Sequence, residues 1–220
     1  MNDKTTRNVL LLAAAALFNG LVYGSRLIAR DLPHYCFSTP LDDAIPVIPW
    51  TILIYWGAYF FWMAYYYLNI KCDKGAGYRF IIAHFIGESI CLIAFLFLPT
   101  IMTRPEITGT TLFDRMLNLT YSVDSPDNLL PSIHCFASWL CWVGARNNPG
   151  FSKRSQTAAL LMAVAICVST LTVKQHVLVD AAAGIILAEL SYLAAGCLER
   201  YQESRRVRHS RQRNNCTDYA

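Results

Sequence analysis

The chain has 220 residues, 55% of them hydrophobic and 15% charged, with a formal net charge of +4. An average soluble domain carries roughly 25% charged residues, so this composition excludes an ordinary soluble domain and a disordered chain. The small positive balance also gives no reason to expect a nucleic-acid partner. What remains is a membrane protein with little mass outside the bilayer.

Crossing a hydrocarbon core takes about 20 mainly apolar residues, and six stretches meet that need in chain order. The first is Val9–Ser25. Lys4 and Arg7 precede it as in a signal peptide, but no small-x-small cleavage site follows Ser25, and five more spans do. The second, Ile45–Ile70, is aromatic throughout (YFFWMAYYY at 59–67). Its tyrosines and tryptophans read as packing residues, with Trp50, Tyr55, Trp56 and Tyr59 near the interface. The third, Arg79–Leu98, holds His84 and Glu88 four residues apart, which fits hydrogen bonding between helices. The fourth, Pro131–Ala145, is short and opens on a proline, which suits a first helical position. Thr157–Val173 and Val177–Leu198 complete the set, with Glu189 inside the last.

The expected fold is therefore all-α: a polytopic membrane protein with six transmembrane helices in one bundle over residues 1–198. A basic cytoplasmic tail, 199–220, carries six arginines and reads as solvated and without fixed structure. The eight cysteines form no CxxC pair, and Cys91, Cys141, Cys167 and Cys197 are among those inside spans, so they read as small hydrophobes.

Six spans alternate the loops between two sides. Of the 19 lysines and arginines, 14 fall on the side of the N-terminus; the other five are Arg26, Arg30, Arg104, Arg115 and Lys174. Basic loops stay in the cytoplasm, so both termini are expected there. The tail's arginines are suited to anionic lipid headgroups. Asn118-Leu119-Thr120, in the longest outer loop, matches a glycosylation sequon, a triplet common by chance.

Three polar motifs fall on the outer side. PTIMTRP (99–105) ends the third span, PSIH (131–134) opens the fourth, and STLTVKQHVLVD (169–180) links the fifth to the sixth. Their residue types suit phosphoryl transfer. His176 and Asp180 are four apart and would share a helix face. The carboxylate would fix the imidazole tautomer and leave the other nitrogen as nucleophile. His134 would serve as general acid, and Arg104 offers a planar fork to phosphate oxygens. The amides after Pro131 are free at a helix start, a natural anion site.

These motifs resemble the type-2 phosphatidic acid phosphatase superfamily. PSIH fits its PSxH motif, His176-x3-Asp180 the end of its third motif, and Arg104-Pro105 the RP of its first. The resemblance implies a phosphohistidine on His176, oriented by Asp180, with His134 as acid. It also implies substrate binding by Arg104, Ser132 and Ser169, and neither metal nor cofactor. Two family cations are missing: Phe97 stands where the first motif has lysine, and Thr170 where the third has arginine. Lys174, two residues before His176, is the candidate to supply charge from another direction. Weakened first and third motifs, and the stretch LDDAIPVIPW (41–50), are similar to the branch containing sphingomyelin and inositol-phosphorylceramide synthases.

The leading expectation is an integral membrane lipid phosphatase of phospholipid metabolism. It would hydrolyse a lipid phosphate or diphosphate monoester at the outer face, with membrane lipids as its partners. The alternative is a headgroup phosphotransferase using the same residues, and a third class is a non-enzymatic transporter or scaffold with a decayed site. Short loops fit a bacterial inner membrane, and an internal eukaryotic membrane with a lumenal site fits as well.

Overall fold

A computed structural model describes the backbone of residues 3–217 and the side chains of residues 5–206. Regular structure among the described residues is entirely helical. Helix α1 (Asp3–Gly24) is followed by one turn, α2 (Arg26–Ala29), and by α3 (Pro40–Ala44). A 3-10 turn at Pro49–Thr51 leads into α4 (Ile52–Cys72). The rest are α5 (Lys74–Phe97), α6 (Leu112–Val123), α7 (Ile133–Asn147), α8 (Lys153–Thr172) and α9 (Leu178–Thr217).

Local chemistry sets most of the helix starts. Asp73, Ser132 and Ser152 each accept an amide from the first turn of α5, α7 and α8. Thr39–Asp42 and Thr111–Asp114 form capping boxes that start α3 and α6. The second box creates a short amphipathic helix inside the segment between the third and fourth apolar stretches, which reads as a loop from its sequence.

Among the described residues, four helical stretches are long and apolar enough to cross a membrane: Thr5–Ala29, Lys74–Phe97, Lys153–Thr172 and Leu178–Arg206. Of the six expected spans, α4 and α7 fall outside that set. Helix α4 has the length, but its tyrosines and tryptophans carry polar tips. Helix α7 has 15 residues, about 22 Å of rise. It is the inner helix: it packs on α4, α5, α8 and α9, and Phe136, Leu140, Cys141 and Val143 are fully buried. Around it, Leu17, Leu21, Phe60, Met63, Ile93, Leu161, Ile186 and Leu193 point outward and are exposed. An apolar girdle of that extent is foreign to a water-soluble monomer and compatible with a membrane protein.

The bundle has two ends. At one, Asn148 donates to the Asn69 carbonyl, Arg79 donates to the Tyr192 carbonyl, and Arg7 lies over Tyr78. At the other, the Tyr35 amide bonds the Pro99 carbonyl, Ile48 bonds Thr172, and Ser132 bonds Asp180. The Thr100 hydroxyl accepts the amides of Leu129 and Leu130, fixing the approach to PSIH.

Polar residues inside the bundle join different helices. His84 meets the Tyr66 hydroxyl at 2.9 Å and the Ala15 carbonyl at 3.3 Å, and Glu88 accepts from Asn19 at 2.7 Å. His84 and Glu88 thus bond outward to α1 and α4. Glu189 accepts from Trp139 and from Arg146.

The expected unstructured tail differs most. Helix α9 runs on to Thr217. No glycine or proline follows Gly196, so nothing local stops a helix already nucleated by packing. Residues 218–220 lie outside the described residues.

Candidate active site

The site is assembled where α7 and α9 begin. Ser132 has extended backbone and its hydroxyl accepts the Cys135 amide at 3.2 Å, so α7 starts at Ile133 with His134 in its first turn. The amides of Ile133 and His134 have no carbonyl within the helix to bond. Ser132 N–H donates to the Asp180 carbonyl at 3.1 Å, which ties the start of α7 to the start of α9. Nearby, Gly184 lets the helices close: a Cβ there would lie 2.5 Å from the Ser132 carbonyl oxygen.

The turn between α8 and α9 presents His176. The amides of Gln175 and His176 both donate to the Thr170 carbonyl, at 2.9 and 3.2 Å. Lys174 takes φ 51°, a left-handed conformation that a non-glycine residue adopts at some cost. His176 precedes α9 by two residues and so is not on the helix with Asp180, contrary to the spacing argument. The two still meet, because Asp180 lies in the first turn. Its Oδ2 accepts the Val177 amide at 3.0 Å and stands 3.5 Å from His176 Nδ1. Asp180 is 1% exposed, so the imidazole has a buried carboxylate behind Nδ1 and Nε2 at its other edge.

The His134 and His176 rings have centroids 6.3 Å apart, inclined by 53°. That is too long for a direct hydrogen bond and short enough for both rings to touch one intervening phosphoryl group. Both line a cavity of about 540 Å³. Tyr55 stacks on His134 at 4.3 Å and 14°, with Trp62 at 5.0 Å and Tyr59 edge-on at 5.9 Å. These three residues follow an i, i+4, i+7 spacing, one face of α4. That stripe is visible in the sequence, where it reads as packing.

The cavity carries a further set of polar residues. Gln175 lines it, and Arg26, Asp124, Asp127 and Asn128 form part of its rim. Tyr23 donates to Asp124 at 2.7 Å, and Arg26 lies 3.8 Å from the same oxygen. Burial raises the Asp127 carboxyl above its ordinary range, with Arg26 the main opposing charge. Among the described residues, the buried atoms without a hydrogen-bond partner include, at this cavity, His134 Nε2, His176 Nδ1, Gln175 Nε2, Arg26 Nη1, Asp127 Oδ1 and both amide atoms of Asn128, and elsewhere Asn69 Oδ1, Glu88 Oε2 and Ser191 Oγ among others. Such atoms are rare in folded proteins, and their gathering around one cavity marks it for a polar ligand.

The other expected site residues lie elsewhere. Arg104 does not line this cavity. Its Nε donates to the Lys174 carbonyl at 3.2 Å, Nη1 to the Asp124 carbonyl, and Nη2 to Gln175 Oε1, while its guanidinium covers Tyr121 at 4.8 Å. Burial holds it below the ordinary arginine value, with Asp124 the largest opposing influence. Arg104 and Lys174 line a second cleft of about 420 Å³, which His176 also reaches. Lys174 Nζ donates to the Asp42 carbonyl at 2.6 Å. Ser169 is fully buried and its hydroxyl bonds the Ile166 carbonyl. Phe97 is 80% exposed and turned out of the bundle, and Thr170 is buried with its hydroxyl on the Cys167 carbonyl. Neither position offers the cavity a cation.

No family model matches the chain, and neither a curated protein nor a solved structure matches it.

Proposed function

We propose that the protein is an integral membrane lipid phosphatase. In this reading α1, α4, α5, α7, α8 and α9 are six spans, α1 continuing into α2. Both termini face the cytoplasm, and the cavity opens at the outer rim. His176 Nε2 attacks the phosphorus of a lipid phosphate monoester or diphosphate and the P–O bond to the leaving oxygen breaks. His134 gives that oxygen its proton. Water then attacks the phosphohistidine, His134 takes a proton from it, and inorganic phosphate leaves as the P–N bond breaks. Asp180 holds Nδ1 and supports the positive charge that develops on the ring.

One observation carries the reading: two imidazoles 6.3 Å apart on one cavity, one of them backed by a buried carboxylate at 3.5 Å. The motif resemblance to the type-2 phosphatidic acid phosphatases supports it. The test is purified protein given phosphatidic acid in detergent with a chelator. Inorganic phosphate is released, a base-stable, acid-labile phosphoenzyme forms, and both vanish in His176→Ala. Release undiminished in that variant ends the proposal.

A second reading has its own support. Arg104 and Lys174 are occupied by protein oxygens, so the cavity offers less charge than a phosphomonoester dianion calls for. A phosphodiester headgroup, with one charge, suits it better, and the product would be a transferred headgroup. Donor lipid labelled in the headgroup separates the two readings through free headgroup phosphate or a new labelled lipid.

A further inference from the structure

We propose that Gln175 is a direct ligand of phosphoryl oxygen in the cavity, and that Arg104 acts through it as a positioning residue. The inference rests on reading the cavity as a phosphoryl-transfer site. Gln175 lies next to His176 in the chain, lines the cavity with both imidazoles, and is 2% exposed. Arg104 lines the other cleft. The glutamine side chain is thus the wall between the guanidinium and the cavity.

The orientation of the amide follows from donor chemistry. Arginine has five N–H donors and no acceptor, so the Gln175 atom facing Arg104 Nη2 is the oxygen. The NH2 end is then the one turned away from Arg104. Nε2 is buried and has no partner among the described residues. A buried amide whose oxygen is charge-bonded and whose nitrogen is unpartnered is poised to donate to an acceptor inside the cavity. Hydrogen bonds in such a chain polarise one another, so the arginine strengthens the donor that glutamine presents.

The remaining groups fit an oxyanion at the same place. His134 Nε2 is also buried without a partner, and the Ile133 and His134 amides open the helix beside it. The turn that carries Gln175 is held at both sides: its amide bonds Thr170, and Arg104 also bonds the Lys174 carbonyl just before it. Arg104 is therefore the rigid support for a neutral donor, where a bare cation would otherwise meet the phosphate.

The test reads anion binding separately from turnover. Trp56 and Trp62 line the cavity, so tryptophan fluorescence of the purified full chain in detergent reports on titration with inorganic phosphate. Gln175→Glu keeps an oxygen facing Arg104 while removing the NH2 donor, and Gln175→Leu removes both ends. Each is expected to weaken phosphate binding about 10- to 100-fold, the range for a hydrogen bond to a charged group. The melting temperature of Gln175→Glu should stay at the wild-type value. Arg104→Lys, which keeps the charge without the planar fork, should weaken binding less than loss of the donor does. Wild-type phosphate affinity in Gln175→Glu, or no phosphate binding by the wild-type protein, overturns the assignment. Turnover is judged apart: His176→Ala should bind phosphate and release none. If that variant still turns over, the proposed function fails, while the Gln175 assignment stands or falls on binding.

Discussion

One oxygen of Asp180 serves two partners: it accepts the Val177 amide at 3.0 Å and lies 3.5 Å from Nδ1 of His176. The carboxylate that starts helix α9 is also the one that faces the imidazole, so the charge beside the ring and the helix start come from the same group. Asp180→Asn keeps the size but loses the charge, and an amide turned wrongly meets Val177 N–H with another donor. We expect kcat for phosphate release to fall about 10²-fold or more, in line with other carboxylates that orient a histidine. Stability should fall by about 1 kcal/mol, typical of a lost cap. Steady-state kinetics and denaturant unfolding in detergent measure the two effects separately.

His134 packs among α4 aromatics, with Tyr55 stacked face to face on its ring. Tyr55→Phe preserves the stack at 4.3 Å and should leave kcat within about threefold of wild type. Tyr55→Ala removes an aromatic contact worth about 0.5–1.5 kcal/mol beyond its area and frees the ring to tilt. Its kcat is expected to drop about 10-fold or more, with the phosphoenzyme still forming from an activated aryl phosphate whose leaving group needs no proton.

Gly184 lets α9 close on the start of α7. A methyl there would lie 2.5 Å from the Ser132 carbonyl oxygen, 3.0 Å from the Phe136 nitrogen and 3.1 Å from the Cys135 Cβ. Two of those atoms are backbone, so the helices must separate. Gly184→Ala should cost about 1–3 kcal/mol, as overpacking does. The start of α7 carries His134, so phosphate release should fall even where thermal unfolding shows the protein folded.

Asp42 gives a dependence on pH. Burial pushes its carboxyl up, but hydrogen bonds from the Thr39 side chain and the Leu178 and Thr39 amides, with the Lys174 charge, outweigh that and hold it below the ordinary 3.8. A folded-state value below the unfolded one contributes stability above the unfolded value, and that stability is lost as pH falls through the folded one. Asp42→Asn should therefore lower the melting temperature at pH 7. The gap should close as pH falls from about 4 downward. A gap that stays constant to pH 2.5 would show that Asp42 acts only through its shape.

Much of the frame was readable in advance. Each of the six apolar stretches contains a helix, the element that satisfies its own backbone within one segment. The start of α7 is legible to within two residues from Pro131, although the structure puts the cap at Ser132 and the first helical position at Ile133. Helix α6 was missed although its capping box lies in the sequence, because the surrounding prolines, glycines and threonines read as loop. The end of α9 departs from its sequence pattern: high charge suggests a tail without fixed structure, and charge alone does not stop a helix.

The site divides in the same way. His134, His176 and Asp180 stand out as candidates in the chain through their motifs, although His176 lies in the turn before α9 and meets Asp180 there instead of along a shared helix face. That Arg104 bonds Gln175 instead of facing the cavity could not, and neither could the placing of Tyr55, Tyr59 and Trp62 around His134. Sequence by itself determined which apolar segments are helical and which side chains are candidates for the chemistry, because those properties depend on neighbours within a turn or two. Only the tertiary structure decided which polar atoms are matched by protein partners and which are left for a ligand. That depends on groups 70 or more residues apart meeting in space, as Arg104 and Gln175 do across 71 positions.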